Sequence, residues 1–192
     1  MKNLKLVTVA TCLLTFVMSL NMSAQSNMMK QETKMVGGAE MYPTKNIIEN
    51  AVNSKDHTTL VAAVKAADLV DALSSEGPFT VFAPTNSAFD KLPKGTVDNL
   101  LKMENKMMLQ TILKYHVASG KWNASDIMKA IKKGNGKAQI TTLSGGTLTA
   151  WMKGKAVYVT DENGNSALVT IANVNQSNGV IHVVDAVLLP KS

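Results

Sequence analysis

Five runs of apolar and β-branched residues occupy the C-terminal part of the 192-residue chain, and they constrain its fold more than any other feature. A turn containing glycine separates each run from the next, so every connection has a residue that tolerates positive φ. Strands joined by such short turns pair with their neighbours in antiparallel order. The sequence therefore predicts a meander-like antiparallel sheet with strands over residues 138–143, 147–152, 156–160, 167–173 and 180–189.

The residues before this sheet follow a helical pattern. Apolar side chains recur at steps of three and four over residues 60–73 and 95–114, which is the spacing of one buried helix face. Shorter helices are expected after Pro43 and over residues 125–132, and Asp56 is expected to cap the helix that begins near residue 58. Helices that precede antiparallel strands indicate an α+β fold rather than a parallel nucleotide-binding sheet.

The first 24 residues are expected to be an export signal. A positive start, an apolar run over residues 6–20 and small residues at the exit are typical of such signals. The single cysteine, Cys12, lies inside this segment and is interpreted as a small apolar residue, so the mature chain is expected to form no disulfide. Residues 25–42 are polar and without period and are predicted to be a flexible linker, which leaves residues 43–192 as one folded domain without a membrane-spanning run.

The charged residues exclude one class of partner. All 20 basic residues are lysines, against 14 acidic residues. Without arginine, the chain lacks the bidentate fork that holds phosphates and guanine edges. Specific nucleic-acid binding is therefore not expected, and the lysines are expected to coat a solvated surface.

The sequence carries no signature of catalysis, of a cofactor site or of a metal site. Its three histidines, His57, His116 and His182, stand at no metal-ligand spacing and are expected to be core residues with one hydrogen bond each. The acidic run at residues 161–165 resembles a calcium loop, but its glycine comes too early, so a hairpin tip is predicted. The methionines of the second helical region are expected to fill gaps in the core: Met103, Met107 and Met108.

The stretch GPFTVFAPTNSAFDKLP at residues 77–93 places a polar turn between aromatic residues. This turn could be a reactive cluster, a ligand-binding notch or the seam where a strand becomes a helix. In a strand, Phe82 faces one side of the sheet while Phe79 and Val81 face the other. The seam is favoured because three side chains of the turn can accept hydrogen bonds from the free N–H groups of a helix start: Thr85, Asn86 and Ser87.

Four segments of the sequence together resemble the fasciclin domain family. FTVFAPTNSAF at residues 79–89 resembles the first signature box and NGVIHVVDAVLLP at 178–190 the second, while LKYHV at 113–117 and TTLVAAVKAADLV at 58–70 resemble the segments between and before them. The resemblance implies a wedge-shaped β-sandwich with a layer of helices, in which the helices lie mostly in the N-terminal half and the antiparallel strands in the C-terminal half. The signature residues that it implies are structural: Phe82, Pro84, Thr85, Asn86, Phe89, Gly179, His182 and Asp185.

The resemblance also implies a function and a candidate interaction site. Fasciclin domains are usually exported adhesion modules of cell surfaces or matrices, and a tyrosine-histidine segment is implicated in integrin binding by animal relatives. Tyr115 and His116 match that segment and are candidates for interaction, although they can equally be structural residues at the end of a buried helix. The acidic residue that an integrin's metal ion binds falls at Asn173, so an integrin partner is not expected.

Two functions of different classes fit the sequence. The first is a non-enzymatic adhesion or interaction module, similar to small secreted bacterial single-domain fasciclin proteins, which binds a surface protein or glycan outside the cell, at its surface or in the periplasm. The alternative is a periplasmic or extracellular binder of a small apolar or carbohydrate ligand in a cleft between helices and sheet. Trp122 and Trp151 motivate the alternative, because tryptophans can line an apolar pocket as well as a core.

Overall fold

The computed structural model describes residues 32–191, and the expected export signal with Cys12 lies outside them. Within this part the chain forms seven α-helices: α1 (Ile47–Ala51), α2 (Thr58–Ala66), α3 (Val70–Ser74), α4 (Asn86–Asp90), α5 (Thr96–Leu100), α6 (Lys106–Tyr115) and α7 (Ala124–Lys133). It also forms nine strands: β1 (Lys34–Val36), β2 (Ala39–Met41), β3 (Phe79–Pro84), β4 (Val117–Ser119), β5 (Lys137–Thr141), β6 (Thr147–Lys153), β7 (Ala156–Thr160), β8 (Ser166–Gln176) and β9 (Gly179–Val184). Short 3₁₀ turns at Lys55–His57 and Met103–Asn105 precede α2 and α6.

The α+β fold and the antiparallel meander are confirmed. Strands β5 to β9 pair in chain order, each antiparallel to the next, within a mixed sheet of seven strands ordered β4-β3-β9-β8-β7-β6-β5. The parallel pairing of β3 with β9, over six residue pairs, is a feature that the sequence analysis did not predict. This pairing brings the two signature boxes side by side, because β3 carries the first and β9 the second.

The two edges of this sheet meet, so the sheet closes on itself. Ala118 of β4 forms an antiparallel bridge with Thr142, just after β5, and the Leu143 amide donates to the Val117 carbonyl at 2.7 Å. Strand β8 bends between the two halves of the sheet, with register shifts around Ile171. This contact covers the strand edges where β4 meets the end of β5, and a covered edge cannot pair with other chains.

Alternation along β3 and β9 divides the interior into two cores. Val81 and Ala83 of β3 pack with α2, α3 and α6 in a first core, while Phe82 points into the second core, inside the closed sheet. Helix α7 completes the second core with Ile127 and Ile131. The expected orientation of Phe82, opposite to Val81, is therefore the observed one.

The predicted last strand, residues 180–189, is too long, since β9 ends at Val184. Beyond it the backbone amides donate to side chains instead of a neighbouring strand. Leu188 N donates to Nε2 of His116 at 3.0 Å, and Leu189 N donates to Oδ2 of Asp161 at 3.0 Å. These side-chain acceptors replace the ladder and hold the C-terminal segment against the sheet.

The assignment of residues 25–42 to a flexible linker is wrong for its C-terminal part. Residues 34–41 form an antiparallel hairpin of β1 and β2, in which Val36 and Met41 are 4% and 2% exposed and belong to the first core. Each strand has only three residues, too few for alternation to be visible in the sequence. The ordered domain therefore begins before residue 43.

Two local expectations about the helices are also wrong. Asp56 lies inside the 3₁₀ turn and makes no capping hydrogen bond to α2. The three methionines expected in the core are on the surface, with exposed fractions of 94% for Met103, 82% for Met107 and 58% for Met108. The 3₁₀ turn at Met103–Asn105 separates α5 from α6 and interrupts the apolar stripe predicted over both, so the stripe does not carry the three methionines into the core.

Candidate functional site

The polar turn after β3 is a seam that organises two helices. Oγ1 of Thr85 accepts a hydrogen bond from the Ala88 amide at 3.3 Å and caps α4, and its hydroxyl also contacts that of Ser87 at 2.9 Å. Pro84 is buried at the end of β3, while Phe89 packs against the first core from α4. Thr85 thus has the capping role that the seam interpretation assigns to it, whereas Ser87 bonds to the Thr85 hydroxyl instead of a helix-start amide.

Asn86 caps a different helix from the one it belongs to. Its Oδ1 accepts from the Thr59 amide at 3.0 Å and the Thr58 hydroxyl at 3.2 Å, while its Nδ2 donates to the Lys55 carbonyl at 2.8 Å. Helix α2 has no capping side chain of its own, because the preceding residue, His57, makes no such bond. Asn86 therefore provides the hydrogen-bond acceptor for a free amide at the start of α2, which lies 27 residues earlier in the chain.

The second box packs directly on the first. A Cβ on Gly179 would lie 2.1 Å from the Phe79 carbonyl oxygen, so only glycine fits at this point of the β3–β9 pair. His182 stacks on Phe82 with ring centroids 5.7 Å apart, and its Nε2 contacts the Trp122 carbonyl at 2.7 Å. Burial lowers the pKa of His182, which keeps the ring neutral in this apolar setting.

Asp185 links the end of β9 to two neighbouring elements. Its Oδ1 accepts from the Leu168 amide at 2.7 Å, and its carbonyl accepts from Nζ of Lys91 at 2.6 Å. The carboxylate also forms an exposed ion pair with Lys91 at 3.4 Å. Asp185 is thus a connection between β8, β9 and the residue that ends α4.

Tyr115 and His116 are both inside the molecule. Tyr115 is 0% exposed, and its hydroxyl donates to the Thr147 carbonyl at 3.0 Å and accepts from the Glu162 amide at 3.1 Å. His116 is 3% exposed, with Nδ1 on the Ile112 carbonyl at 2.9 Å and Nε2 accepting from the Leu188 amide. A surface partner can therefore reach neither side chain in this conformation, and the geometry gives both a structural role.

The same burial sets the protonation of the pair. Loss of solvent lowers the pKa of His116 to about 4 and raises the pKa of Tyr115 to about 12. His116 is therefore neutral, with its proton on Nδ1 so that Nε2 can accept. The third histidine, His57, is also buried, and its Nδ1 contacts Ser54 Oγ at 2.8 Å. Burial lowers the pKa of His57 as well, and the nearby Ala83 backbone opposes this shift. No well-aligned hydrogen bond reaches Nε2 of His57.

Asn173 faces a helix. Its Oδ1 accepts from the Ala124 amide, at the start of α7, at 2.7 Å, and its backbone is left-handed with φ of 56°. Asparagine tolerates this conformation better than most residues. The position that an acidic residue takes in the integrin-binding pattern is here a helix cap.

The residues 161–165 form a hairpin tip, as the sequence predicts. The Asp161 carboxylate accepts from the amides of Asn163 and Asn165 at 3.0 and 2.8 Å and from Leu189. Backbone amides thus occupy the oxygens that a cation would need. Between residues 32 and 191, the structure contains no group of three His, Cys, Asp or Glu side chains arranged to hold a metal ion.

The outer face of the meander carries the most distinctive exposed chemistry. Trp151 of β6 and Tyr158 of β7 are paired in register and stacked, with ring centroids 4.8 Å apart and planes at 19°. Both are half-buried, and the indole N–H donates to Oγ1 of Thr160 at 2.8 Å, which fixes the ring on the sheet. We name Trp151 and Tyr158 the aromatic pair.

Most residues around the aromatic pair on the same face are polar. Lys137 and Leu168 extend its row across the sheet, and the neighbouring row consists of Gln139, Thr149, Thr160 and Ser166. Trp151 is a pocket or core candidate in the sequence, whereas Tyr158 is not among the candidates. Residues 148, 150 and 152 are apolar and 147, 149 and 153 polar, so this alternation could have indicated that Trp151 lies on the outer face.

Trp122 has a different environment from Trp151. It packs against the second core, its backbone amide donates to Thr80 Oγ1 at 2.8 Å, and its indole N–H donates to the Ser119 carbonyl at 3.3 Å. The two tryptophans therefore do not share a pocket wall. Trp122 closes the core, and Trp151 belongs to the surface.

Comparison with known proteins agrees with this architecture. Residues 55–190 match the Fasciclin domain family, and the chain belongs to that family. It is similar to protein sll1483 of Synechocystis, with 44% identity over 99% of both chains. It is also similar to the cell surface glycolipoprotein MPB83 of Mycobacterium bovis, with 37% identity over 73% of this chain and 58% of that protein.

A solved structure shares the fold at low sequence identity. The FAS1 domain pair from the insect cell adhesion molecule Fasciclin I superposes with a TM-score of 0.68 and 18% identity, over 76% of this chain and 51% of that chain. Among the helices within residues 32–191, none combines the length and hydrophobicity needed to cross a membrane.

Proposed function

We propose that this protein is an exported, non-enzymatic adhesion module that binds a surface glycan through the aromatic pair. The observation that carries the proposal is the stacked, half-exposed Trp151 and Tyr158 on a face that otherwise consists mostly of hydroxyl, amide and ammonium groups, with Leu168 beside Tyr158. The family supports adhesion in general terms. One relative is named a cell surface protein, and the structural neighbour is a cell adhesion molecule.

The chemistry of this face fits a saccharide. A pyranose ring has an apolar face of C–H groups, which packs against the electron-rich face of an indole or phenol ring. Its hydroxyl groups lie around the rim, where they exchange hydrogen bonds with side chains that both donate and accept. Gln139, Thr149 and Ser166 supply such groups beside the pair.

The aromatic pair is also rigid before binding. The cross-strand register fixes both backbones, and the indole N–H bond to Thr160 fixes the tryptophan ring. A ligand therefore orders few side-chain torsions, which lowers the entropic cost of binding. A protein partner could use the same aromatic residues as hot spots, and protease treatment of the cells distinguishes such a partner from a glycan.

The proposal is tested with fluorescently labelled protein and intact cells of the source organism. We expect saturable binding that periodate oxidation of the cells abolishes and that protease treatment leaves in place. The variant Trp151→Thr, which keeps a strand-forming residue, should bind at least tenfold less. Tyr42→Ala removes an aromatic side chain that is 40% exposed elsewhere and should bind as the parent does. Binding that survives periodate but not protease would mean a protein partner and would overturn the glycan proposal.

A further inference from the structure

An apolar groove runs between α3, the start of β3, the end of α6 and β4. It has a volume of about 200 Å³, and its lining includes the apolar Leu69, Ala72, Phe79 and Leu143 and the polar Ser75 and Lys114. Leu143 is 43% exposed, so one side of the groove is open to solvent. The groove therefore begins at the surface and is mostly apolar.

A second space continues this groove into the first core. It is a cavity of about 50 Å³ between the helices and the sheet, lined mostly by carbon atoms. Leu73, Leu113 and Val117 line both spaces and form the wall between them. We name the groove and the cavity together the apolar tract, which we define by the lining residues of both.

One of the residues that line the groove carries a positive charge. Lys114 lines the groove and is exposed, next to Leu113 in the last turn of α6. Within residues 32–191 it takes part in none of the four ion pairs that the side chains form. The tract thus combines a mostly apolar lining with one exposed positive charge that is in none of these ion pairs.

We propose that this tract binds a free fatty acid, with the acyl chain in the groove and the carboxylate at Lys114. An apolar cavity of about 150 Å³ stays dry and binds benzene, so a groove of 200 Å³ has room for one chain segment of about eight carbons. It has no room for the two chains of a membrane phospholipid. The negative head group matches the charge of Lys114, which separates this ligand from an alkane or an alcohol.

The site is independent of the proposed adhesion surface. The groove lies among α3, β3, α6 and β4, whereas the aromatic pair belongs to β6 and β7. Loss of fatty-acid binding would therefore leave glycan binding intact, and the failure of either proposal can be recognised without the other.

The test is equilibrium dialysis of the purified protein with radiolabelled decanoate below its micellar concentration. We expect saturable binding of one decanoate per chain. Ala72→Phe, which fills the groove from the exposed face of α3, should abolish the binding without unfolding the protein. Decanol should also bind, since the apolar contacts are shared.

The charge is tested with Lys114→Met, which keeps the apolar stem of the side chain. Exposed ion pairs are weak, so its affinity for decanoate should fall about two- to fivefold while its affinity for decanol stays unchanged. Lys132→Met on α7 removes an equivalent exposed lysine and should change neither. Equal decanoate binding by the parent and Ala72→Phe, or no saturable binding at all, would overturn the site. An unchanged Lys114→Met, or binding to anionic phospholipid vesicles in place of decanoate, would overturn the fatty-acid assignment.

Discussion

Asn86 is expected to stabilise the fold by joining two helices that are distant in sequence. Replacing it with alanine removes the acceptor of the Thr59 amide and the donor to the Lys55 carbonyl, at 3.0 and 2.8 Å. Loss of a helix cap costs about 1 kcal/mol, and loss of a further hydrogen bond costs about 1 kcal/mol more. The better helix propensity of alanine offsets a few tenths of this sum. The net expectation for Asn86→Ala is a loss of about 2 kcal/mol in the free energy of unfolding.

The assay is urea unfolding followed by tryptophan fluorescence. For a domain of this size, a loss of about 2 kcal/mol in the free energy of unfolding corresponds to a melting temperature lower by roughly 4–8 °C in thermal unfolding. The m-value of the urea transition should not change. Asn86→Asp keeps the acceptor but loses the donor, so it should cost about half as much. Asn105→Ala is the matched control, because that side chain makes one exposed bond, to the Asn99 carbonyl. If Asn86→Ala costs no more than Asn105→Ala, the capping argument is refuted.

Three further predictions concern the buried residues. The pKa of His116 falls from 6.5 to about 4 on folding, so the unfolded chain takes up a proton at a higher pH than the folded chain does. The contribution of His116 to the free energy of unfolding should be complete above pH 6.5 and be lost as the pH falls towards 4, by up to about 3 kcal/mol. His116→Gln should reduce this pH dependence of stability in urea titrations. Tyr115→Phe leaves the Glu162 amide and Thr147 carbonyl unpaired and should cost about 2 kcal/mol in urea unfolding, with adhesion per folded molecule unchanged. Gly179→Ala forces a Cβ into the backbone of β3 and should leave little folded protein by circular dichroism, and a native spectrum would contradict the close approach.

The parts of the fold that could be predicted are those with local signals. The meander follows from alternation and glycine turns, so the strand Ala156–Thr160 was placed at its observed bounds. The parallel pairing of β3 with β9 could not be predicted in this way, because it joins residues about 100 positions apart and leaves no mark in either segment. The β1–β2 hairpin could not be predicted, because strands of three residues show no periodicity in the sequence.

The same limit applies to the polar side chains. Asparagine at a turn signals a cap, but the sequence does not show which helix is capped. Asn86 bonds to α2, Asn173 to α7, and Asn178 to the Ile47 amide of α1, 131 residues away. The position of Tyr115 at a helix end was visible in the sequence, whereas its burial depends on the hairpin tip at Glu162, which is distant in sequence.

Surface attachment by living cells tests the central claim most directly. A strain that lacks the protein is complemented with the parent, with the double variant Trp151→Thr and Tyr158→Thr, or with Tyr42→Ala, each at equal surface abundance. We predict that the parent and Tyr42→Ala restore attachment and that the double variant does not. Full attachment by cells carrying the double variant, or by the strain without the protein, would contradict adhesion through the aromatic pair.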